Sequence, residues 1–351
     1  MGCATGVRAA PHPAPPGRGP CGRGPYHPPM APPGVTRLAP SPTGPLHLGN
    51  ACTFLATWAL ARNQRWRIEM RMEDLDAPRV QAAGDAAAAI LEELRWLGVE
   101  WDGPVLTQSA HLEVFAAAVT RLAEAGLVYE SPHSRADVRQ AASAPHADDV
   151  AAAFPASLRA PPGPRWRFES REVNHRMVVH PGGMEIVDGL QGSRVLDPAR
   201  EFGDVVVWTR GGVPAYQLAV VVDDGRTGVT DVVRGADLLP SAAVQTLIHR
   251  ALSQPVPRWW HVPLVVDQEG RRLAKRRGDA TLSSLRSAGV PRERVLGLVA
   301  GWILGRPPEP MEPEAFVGAV DLPALRQWAL RAHHPGHAPR FDAAAQAWLH
   351  G

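Results

Sequence analysis

Residues that could bind charged ligands cluster in two stretches in the first quarter of the chain. Arg37 comes just before a dense turn, Ser-Pro-Thr-Gly at 41–44, and His47 follows the turn. A histidine at a helix start beside such a turn is typical of a site for the phosphates of a nucleotide. The second stretch, at 66–73, ends at a carboxylate, Glu73.

The hydrophobic pattern indicates the elements that must position these residues. Residues 35–39 suit a short strand, apolar residues from 48 to 59 recur on one helical face, and 66–73 alternate between apolar and charged side chains. A strand, a helix and a second strand form a βαβ unit, which places ligands beyond the carboxyl ends of its strands. We therefore expect residues 37–41 and Glu73 to meet over one crevice.

These stretches resemble those of a known family. RLAPSPTGPLHLGN at 37–50 followed by RMEDLDAPR at 71–79 is similar to the signature of glutamyl-type class I aminoacyl-tRNA synthetases, with HLGN in the place of the HIGH motif. The stretch at 214–239 is also similar to its counterpart, and the resemblance covers roughly residues 35–300. It implies an α/β fold: a Rossmann-like class I synthetase catalytic domain with an inserted subdomain and no anticodon-binding domain.

The resemblance also implies a set of site residues. His47 and Lys275 stand at the catalytic positions, and the same two residues together with Gly49 and Asn50 match the ATP-binding positions. The positions that match the glutamate pocket of the family are Arg37, Ala39, Ser41, Glu73, Tyr216 and Arg234. The expected substrates are therefore L-glutamate and ATP, with Mg²⁺ on the phosphates of ATP.

Lys275 is the only lysine among the 37 lysine and arginine residues of the chain. It lies in GRRLAKRRGD, where residues 272–276 resemble the KMSKS loop of the family, with Ala274 in the place of a serine. A compact ammonium suits a point contact with phosphate better than a planar guanidinium does. We therefore expect Lys275 to contact the phosphates of ATP.

Composition and periodicity divide the chain into units. Residues 1–34 are rich in proline and glycine and contain no acidic residue, which is typical of a disordered tail. The units expected after it are the first half of the nucleotide-binding domain at 35–130, an insertion at 131–164, a second half with the amino-acid pocket at 165–250, the KMSKS-like loop and the following helix at 251–306, and a C-terminal tail at 307–351. Helices are expected at 80–96 and 111–125, and a strand at 166–169.

The expected insertion is the region where relatives often carry a zinc site. Ser131, His133, Phe154 and Leu158 stand at the ligand positions of that site. Serine, phenylalanine and leucine are not zinc ligands, and His133 together with His146 falls short of the usual four ligands. We therefore expect this chain to hold no zinc.

Charge and cysteine usage narrow the class of protein. The net charge is +2 and 21% of the residues are charged, so an RNA contact would need a local arginine-rich face such as 271–277. The three cysteines are scattered, which fits a reducing, cytoplasmic compartment. No apolar run of about 18 residues occurs, so we expect no membrane partner. A monomer is expected.

The expected acceptor depends on the part of the chain after the KMSKS-like loop. Full-length members of the family carry a large helical anticodon-binding region there, and too few residues follow Arg276 to hold one. The chain therefore most resembles the short members of the family, which join glutamate to the modified base queuosine in the anticodon of tRNA(Asp). The alternatives are a truncated glutamyl-tRNA synthetase that charges tRNA(Glu), an HxGH nucleotidylyltransferase and a non-catalytic RNA-binding relic.

Overall fold

The computed structural model describes residues 1–2, 33–134, 137–138, 153–163, 166–273, 281–334 and 337–351. Contacts divide the chain into Met1–Pro32 and a compact unit, Pro33–Gly351, and every described strand and helix belongs to the second unit. Most of the expected tail at 1–34 lies outside the described residues, as do Lys275 and His146.

In chain order, the strands and helices of the described residues are β1 (Val35–Leu38), α1 (Leu48–Asn63), β2 (Arg67–Met72), α2 (Ala77–Ala82), α3 (Ala86–Trp96), β3 (Val105–Thr107), α4 (Leu112–Glu124), β4 (Val128–Ser131), β5 (Asn174–Met177), β6 (Met184–Asp188), β7 (Gly192–Leu196), α5 (Pro198–Glu201), β8 (Val205–Trp208), α6 (Tyr216–Thr227), β9 (Asp231–Gly235), α7 (Leu239–Ala251), β10 (Arg258–Val262), α8 (Leu282–Ser287), α9 (Arg292–Leu304), α10 (Pro313–Ala319), α11 (Leu322–Ala332) and α12 (Ala343–His350).

Two sheets of mainly parallel strands form the centre of the fold. One has the order β1-β2-β3 with all pairs parallel, and the other has the order β7-β6-β10-β9 with only β7 antiparallel. Hydrogen bonds between Val35 and Thr230 join the sheets. The backbone N–H of Val35 donates to Thr230 Oγ1 at 2.9 Å, and the backbone N–H of Thr230 donates to the Val35 carbonyl at 2.9 Å. The expected α/β class and the βαβ unit made by β1, α1 and β2 are therefore confirmed.

The helical segment after β2 is interrupted. Gly84 lies between α2 and α3 with a φ of 56°, and this left-handed conformation ends a helix turn without the steric cost that other residues would have. The prediction of one helix over 80–96 was therefore wrong. The helix predicted at 111–125 is confirmed as α4.

A third sheet, antiparallel and in the order β4-β5-β8, follows α4. The strand predicted at 166–169 was wrong, because these residues pair with no strand. Aromatic packing occupies this segment instead: the ring of Phe168 lies edge-on to His175 and Trp208, with centroids 4.8 and 5.2 Å away. Its alternating pattern reflects side chains that are partly buried on one side, without a hydrogen-bonded ladder.

The tail predicted at 307–351 was also wrong. The segment folds into α10, α11 and α12, whose apolar residues Phe316, Leu325 and Leu349 are buried in the same core as α1 and α9. Proline at the first turns of α10 and α11 starts these helices, because a proline there costs no hydrogen bond. Among the residues that the structure describes, no helix is long and apolar enough to cross a membrane.

Candidate active site

A cleft of about 430 Å³ opens at the carboxyl ends of β1, β2 and β9. Its wall contains every predicted site residue that the structure describes, namely Arg37, Ala39, Ser41, His47, Gly49, Asn50, Glu73, Tyr216 and Arg234. The Glu73 N–H donates to the Pro40 carbonyl at 3.0 Å. Residues 37–41 and Glu73 thus meet over one crevice, as the βαβ pattern predicts.

His47 caps the first turn of α1. Its Nδ1 accepts the backbone N–H of Asn50 at 3.3 Å, and the Asn50 Oδ1 accepts the N–H of His47 at 3.4 Å. Because Nδ1 is an acceptor, the neutral imidazole carries its proton on Nε2. A Cβ at Gly49 would lie 3.0 Å from the His47 ring, so glycine lets the ring keep this position. The first-turn N–H groups of α1 make this end of the cleft suited to anions.

The KMSKS-like loop is bracketed by residues at the same end of the cleft. Leu273, just before its undescribed part, lines the cleft. Thr281, just after that part, forms an isolated β-bridge with His47. Lys275, predicted to contact ATP, lies outside the described residues.

Arg37 lies in β1 and is 5% exposed. Its Nε is 3.3 Å from Asp224 Oδ1, and its Nη1 donates to the Val233 carbonyl at 3.2 Å. These two partners fix the guanidinium against the wall of the cleft. The other N–H groups of this guanidinium can bind an anionic ligand.

Glu73 follows β2, and Arg71 Nη2 donates to its Oε1 at 3.2 Å. Arg71 is fully buried and also donates from Nη1 to Asp224 Oδ1 at 2.6 Å. Asp224 on α6 therefore contacts both Arg37 and Arg71. Burial raises the pKa of Glu73 above its ordinary 4.5, and the opposing effects of Arg71 and Arg37 do not cancel this rise.

Arg234 lies at the end of β9, and three acceptors hold its guanidinium. Nε donates to His261 Nε2 at 2.9 Å, Nη1 to Gln245 Oε1 at 2.7 Å and Nη2 to the Leu238 carbonyl at 3.1 Å. Tyr216, the first residue of α6, is 41% exposed and lines the same cleft.

The cleft thus offers separate sites for groups of opposite charge. Arg37 and Arg234 supply cations, Glu73 supplies an anion, and the start of α1 supplies backbone donors. This set is complementary to a ligand that carries an ammonium group and a carboxylate, placed beside a phosphate group.

Sequence reasoning did not find the buried residues that hold these side chains in place. They are Arg71, Asp188, Asp224, Gln245 and His261. One available signal was a charged residue inside an apolar pattern, such as the two aspartates of VVVDD at 220–224. Arg272 belongs to the arginine-rich stretch 271–277 that the sequence indicates for an RNA contact. It lines the cleft and forms an ion pair with Asp237 on the same wall.

The residues at the degenerate zinc positions make other contacts. Ser131 accepts from Arg176 Nε at 3.3 Å, and the Arg176 guanidinium lies 3.9 Å from the centroid of the Phe154 ring. His133 is 6.1 Å from the same ring, and Leu158 packs on the apolar cluster around Phe154. Among the described residues, no group of three or more His, Cys, Asp or Glu side chains is placed to hold a metal ion.

Residues 35–312 match the family described as tRNA synthetases class I (E and Q), catalytic domain. A relative from Nocardia farcinica named glutamyl-Q tRNA(Asp) synthetase is 44% identical over 281 residues, which cover 79% of this chain and 86% of the relative. A relative of the same name from Geobacter sulfurreducens is 40% identical over 315 residues, 89% of this chain and 96% of the relative.

A solved structure is also similar to this chain. It is a glutamate tRNA ligase from Elizabethkingia meningosepticum in complex with its amino acid, with a TM-score of 0.72 and 22% identity. The similar part covers 90% of this chain and 68% of that chain. At this identity, the similarity establishes the fold.

Proposed function

Because the chain belongs to the class I (E and Q) family of tRNA synthetases, we propose that it activates L-glutamate with ATP and transfers the glutamyl group to queuosine in the anticodon of tRNA(Asp). The enzyme is a ligase of the aminoacyl-tRNA synthetase type. The proposed acceptor follows from the name shared by the relatives that match most of the chain.

One observation in the structure carries the proposal for glutamate. Arg37, Arg234 and Glu73, which lie far apart in the sequence, line one cleft together with the start of α1. Glu73 would accept the ammonium group of glutamate, and Arg37 and Arg234 would bind its side-chain carboxylate, with Tyr216 beside them. Ser41 and the backbone at Ala39 would add polar contacts on the same wall.

In the activation step, an oxygen of the α-carboxylate of glutamate attacks the α-phosphorus of ATP. The bond from this phosphorus to the bridging oxygen breaks, and pyrophosphate leaves with that oxygen. His47 and the first-turn amide of Gly49 would stabilise the negative charge that develops on the phosphates. Lys275 would act on the same phosphates, and ATP would bring Mg²⁺ on its own oxygens.

The transfer step would use a hydroxyl of queuosine as the nucleophile. Its oxygen attacks the carbonyl carbon of glutamyl-adenylate, AMP leaves, the hydroxyl proton is released and an ester forms. The chemistry is the same as for a ribose hydroxyl at the 3′ end of a tRNA. A single-stranded anticodon loop suits such a cleft, because its bases can be turned out of the stack and bound individually.

The same arrangement predicts which amino acid is activated. Glutamine would place an amide N–H₂ group, which is a donor, against the guanidinium groups, which are also donors. A site whose donors need acceptors on the ligand binds such an amino acid much more weakly. In ATP–pyrophosphate exchange without tRNA, we expect glutamate to give a signal and glutamine and aspartate to give none above background. Exchange with glutamine that equals or exceeds exchange with glutamate would contradict the proposal.

A further inference from the structure

Three neighbouring strands bring Arg234 into contact with two buried residues behind the cleft. Arg234 on β9 lies directly opposite His261 on β10, and Asp188 ends β6 on the other side of β10. Asp188 and His261 do not line the cleft, and both side chains are fully buried. Asp188, His261 and Arg234 therefore form a row across the sheet that ends at the wall of the cleft. We call this row the β6-β10-β9 relay.

The hydrogen bonds of the relay determine where each proton lies. His261 Nδ1 is 2.6 Å from Asp188 Oδ2, and His261 Nε2 is 2.9 Å from Arg234 Nε. A guanidinium can only donate, so Nε2 accepts and the imidazole proton lies on Nδ1, from which it donates to Asp188. His261 is consequently neutral, with a single tautomer that both neighbours require.

Asp188 is itself held in one orientation. Its carboxylate accepts backbone N–H groups from Leu190 at 2.9 Å, Gln191 at 2.8 Å and His261 at 3.1 Å, in addition to the imidazole. Burial alone would raise the pKa of Asp188, but these hydrogen bonds and His261 outweigh it and lower the pKa. Burial and the charge of Arg234 lower the pKa of His261, which agrees with the neutral imidazole that the geometry requires.

The relay leaves Arg234 little freedom. The guanidinium carbon of Arg234 lies 4.9 Å from the centroid of the Trp259 ring, and Gln245 and Leu238 accept hydrogen bonds from the two terminal nitrogens of Arg234. Of the five N–H groups of the guanidinium, three are therefore bonded to Leu238, Gln245 and His261. Tyr216 is a further hydrogen-bonding neighbour of the guanidinium, and the N–H groups that remain on the terminal nitrogens can bind a carboxylate.

We propose that Asp188 and His261 are positioning residues that fix the guanidinium plane of Arg234 and thereby set the preference of the cleft for a side-chain carboxylate. This inference rests on the proposed function, since it concerns the same pocket. It predicts that glutamate binding depends most on a hydrogen-bond acceptor at the position of His261 Nε2, and to a smaller extent on the donor that His261 presents to Asp188.

Two substitutions of His261 separate its hydrogen bond with Arg234 from its hydrogen bond with Asp188. In His261→Gln, the amide oxygen can reach the position of Nε2 and accept from Arg234. In His261→Asn, the shorter amide can still donate to Asp188 but cannot reach Arg234. His175→Asn serves as a control, because His175 is another buried histidine, on β5, and does not line the cleft.

The measurements are the Kd for labelled glutamate by equilibrium dialysis, and the KM for glutamate and for ATP in pyrophosphate exchange. We expect His261→Asn to raise the Kd and KM for glutamate by about tenfold, the effect of losing a hydrogen bond to a charged group. The KM for ATP should be unchanged in this variant. His261→Gln, which keeps the acceptor for Arg234 but loses the donor to Asp188, should raise both values by clearly less than His261→Asn does. His175→Asn should change the melting temperature without changing the Kd for glutamate.

The binding constants of these variants test the relay, and the activity of the unaltered protein tests the proposed function. Equal values of the Kd for glutamate in His261→Asn and His261→Gln would overturn the relay, as would a parallel rise in the KM for ATP. If His261→Asn does not fold, Asp188→Asn with the same measurements replaces it, and a normal Kd for glutamate in Asp188→Asn would overturn the relay. An unaltered protein that neither binds nor activates glutamate would overturn the proposed function instead.

Discussion

Arg234→Gln is expected to lower kcat/KM for glutamate in pyrophosphate exchange by about 10²- to 10³-fold, the range for truncating one partner of a buried hydrogen-bonded charge pair. Arg234 is 5% exposed, so few water molecules could replace it. Its loss removes a cation from the wall of the cleft and leaves the acceptors on His261, Gln245 and Leu238 without their donor. Activity with glutamine should not fall in proportion, so the preference for glutamate should shrink.

Arg226→Gln is the matched control for this substitution. Arg226 lies on α6, forms an ion pair with Asp223 at 3.5 Å and does not line the cleft. Its replacement should change kcat/KM by less than about threefold, as partly exposed substitutions usually do. If kcat/KM fell as much in Arg226→Gln as in Arg234→Gln, the loss of any arginine charge would explain both results. That outcome would contradict the role of Arg234.

Glu73→Gln is expected to raise the KM for glutamate by about 10²-fold, because it removes the charge that would bind the ammonium group. The substitution preserves the size of the side chain but presents an amide to both Arg71 and the ligand. The KM for ATP should change much less. Glu69→Gln is the control: Glu69 is a buried carboxylate on β2, the strand that Glu73 follows, and it is paired with Arg67 at 2.8 Å and absent from the cleft wall.

The pH dependence of the unaltered protein tests the same residue. Only the ionised carboxylate binds an ammonium group, so glutamate binding is present above the pKa of Glu73 and is lost below it. Burial raises this pKa above 4.5, and kcat/KM for glutamate should therefore fall as the pH is lowered through the raised value. Glu73→Gln should lack this fall. If kcat/KM fell at the same acidic pH in the unaltered protein and in Glu73→Gln, a group other than Glu73 would cause the fall.

The parts of the site that lie within one βαβ unit could be predicted from the sequence. Arg37 and Glu73 follow from the rule that parallel strands end at the same edge of a sheet, and the helix start at His47 follows from local turn chemistry. These features depend on residues within a single strand-helix-strand unit, made by β1, α1 and β2. The structure places them as that rule predicts.

The residues that hold the site could not be predicted in this way. His261 and Asp188 are 73 positions apart, and Arg71 and Asp224 are 153 positions apart. Such contacts depend on the order of strands in a sheet and on which elements pack together. The hydrophobic periodicity of a single segment predicts neither of these. The contact between His261 and Asp188 exists because β6 and β10 are neighbours in the sheet, although 73 positions separate the two residues in the chain.

The C-terminal segment was misjudged for a different reason. Its prolines, such as those at 307, 308, 310 and 313, favoured the prediction of a proline-rich tail, although a proline in a first helical turn is compatible with a helix. α10, α11 and α12 are short, and each is stabilised by burying a few large residues such as Trp328 against the rest of the core. Tertiary packing of this kind outweighs local propensity.

The central claim is that the glutamyl group goes to queuosine in tRNA(Asp). Its most direct measurement is the transfer of radiolabelled glutamate to three purified RNAs: tRNA(Asp) with queuosine, tRNA(Asp) from cells that lack queuosine, and tRNA(Glu). If queuosine is the acceptor, the first RNA carries stable label and the other two show only background. Label on tRNA(Glu), or equal label on both forms of tRNA(Asp), would contradict it.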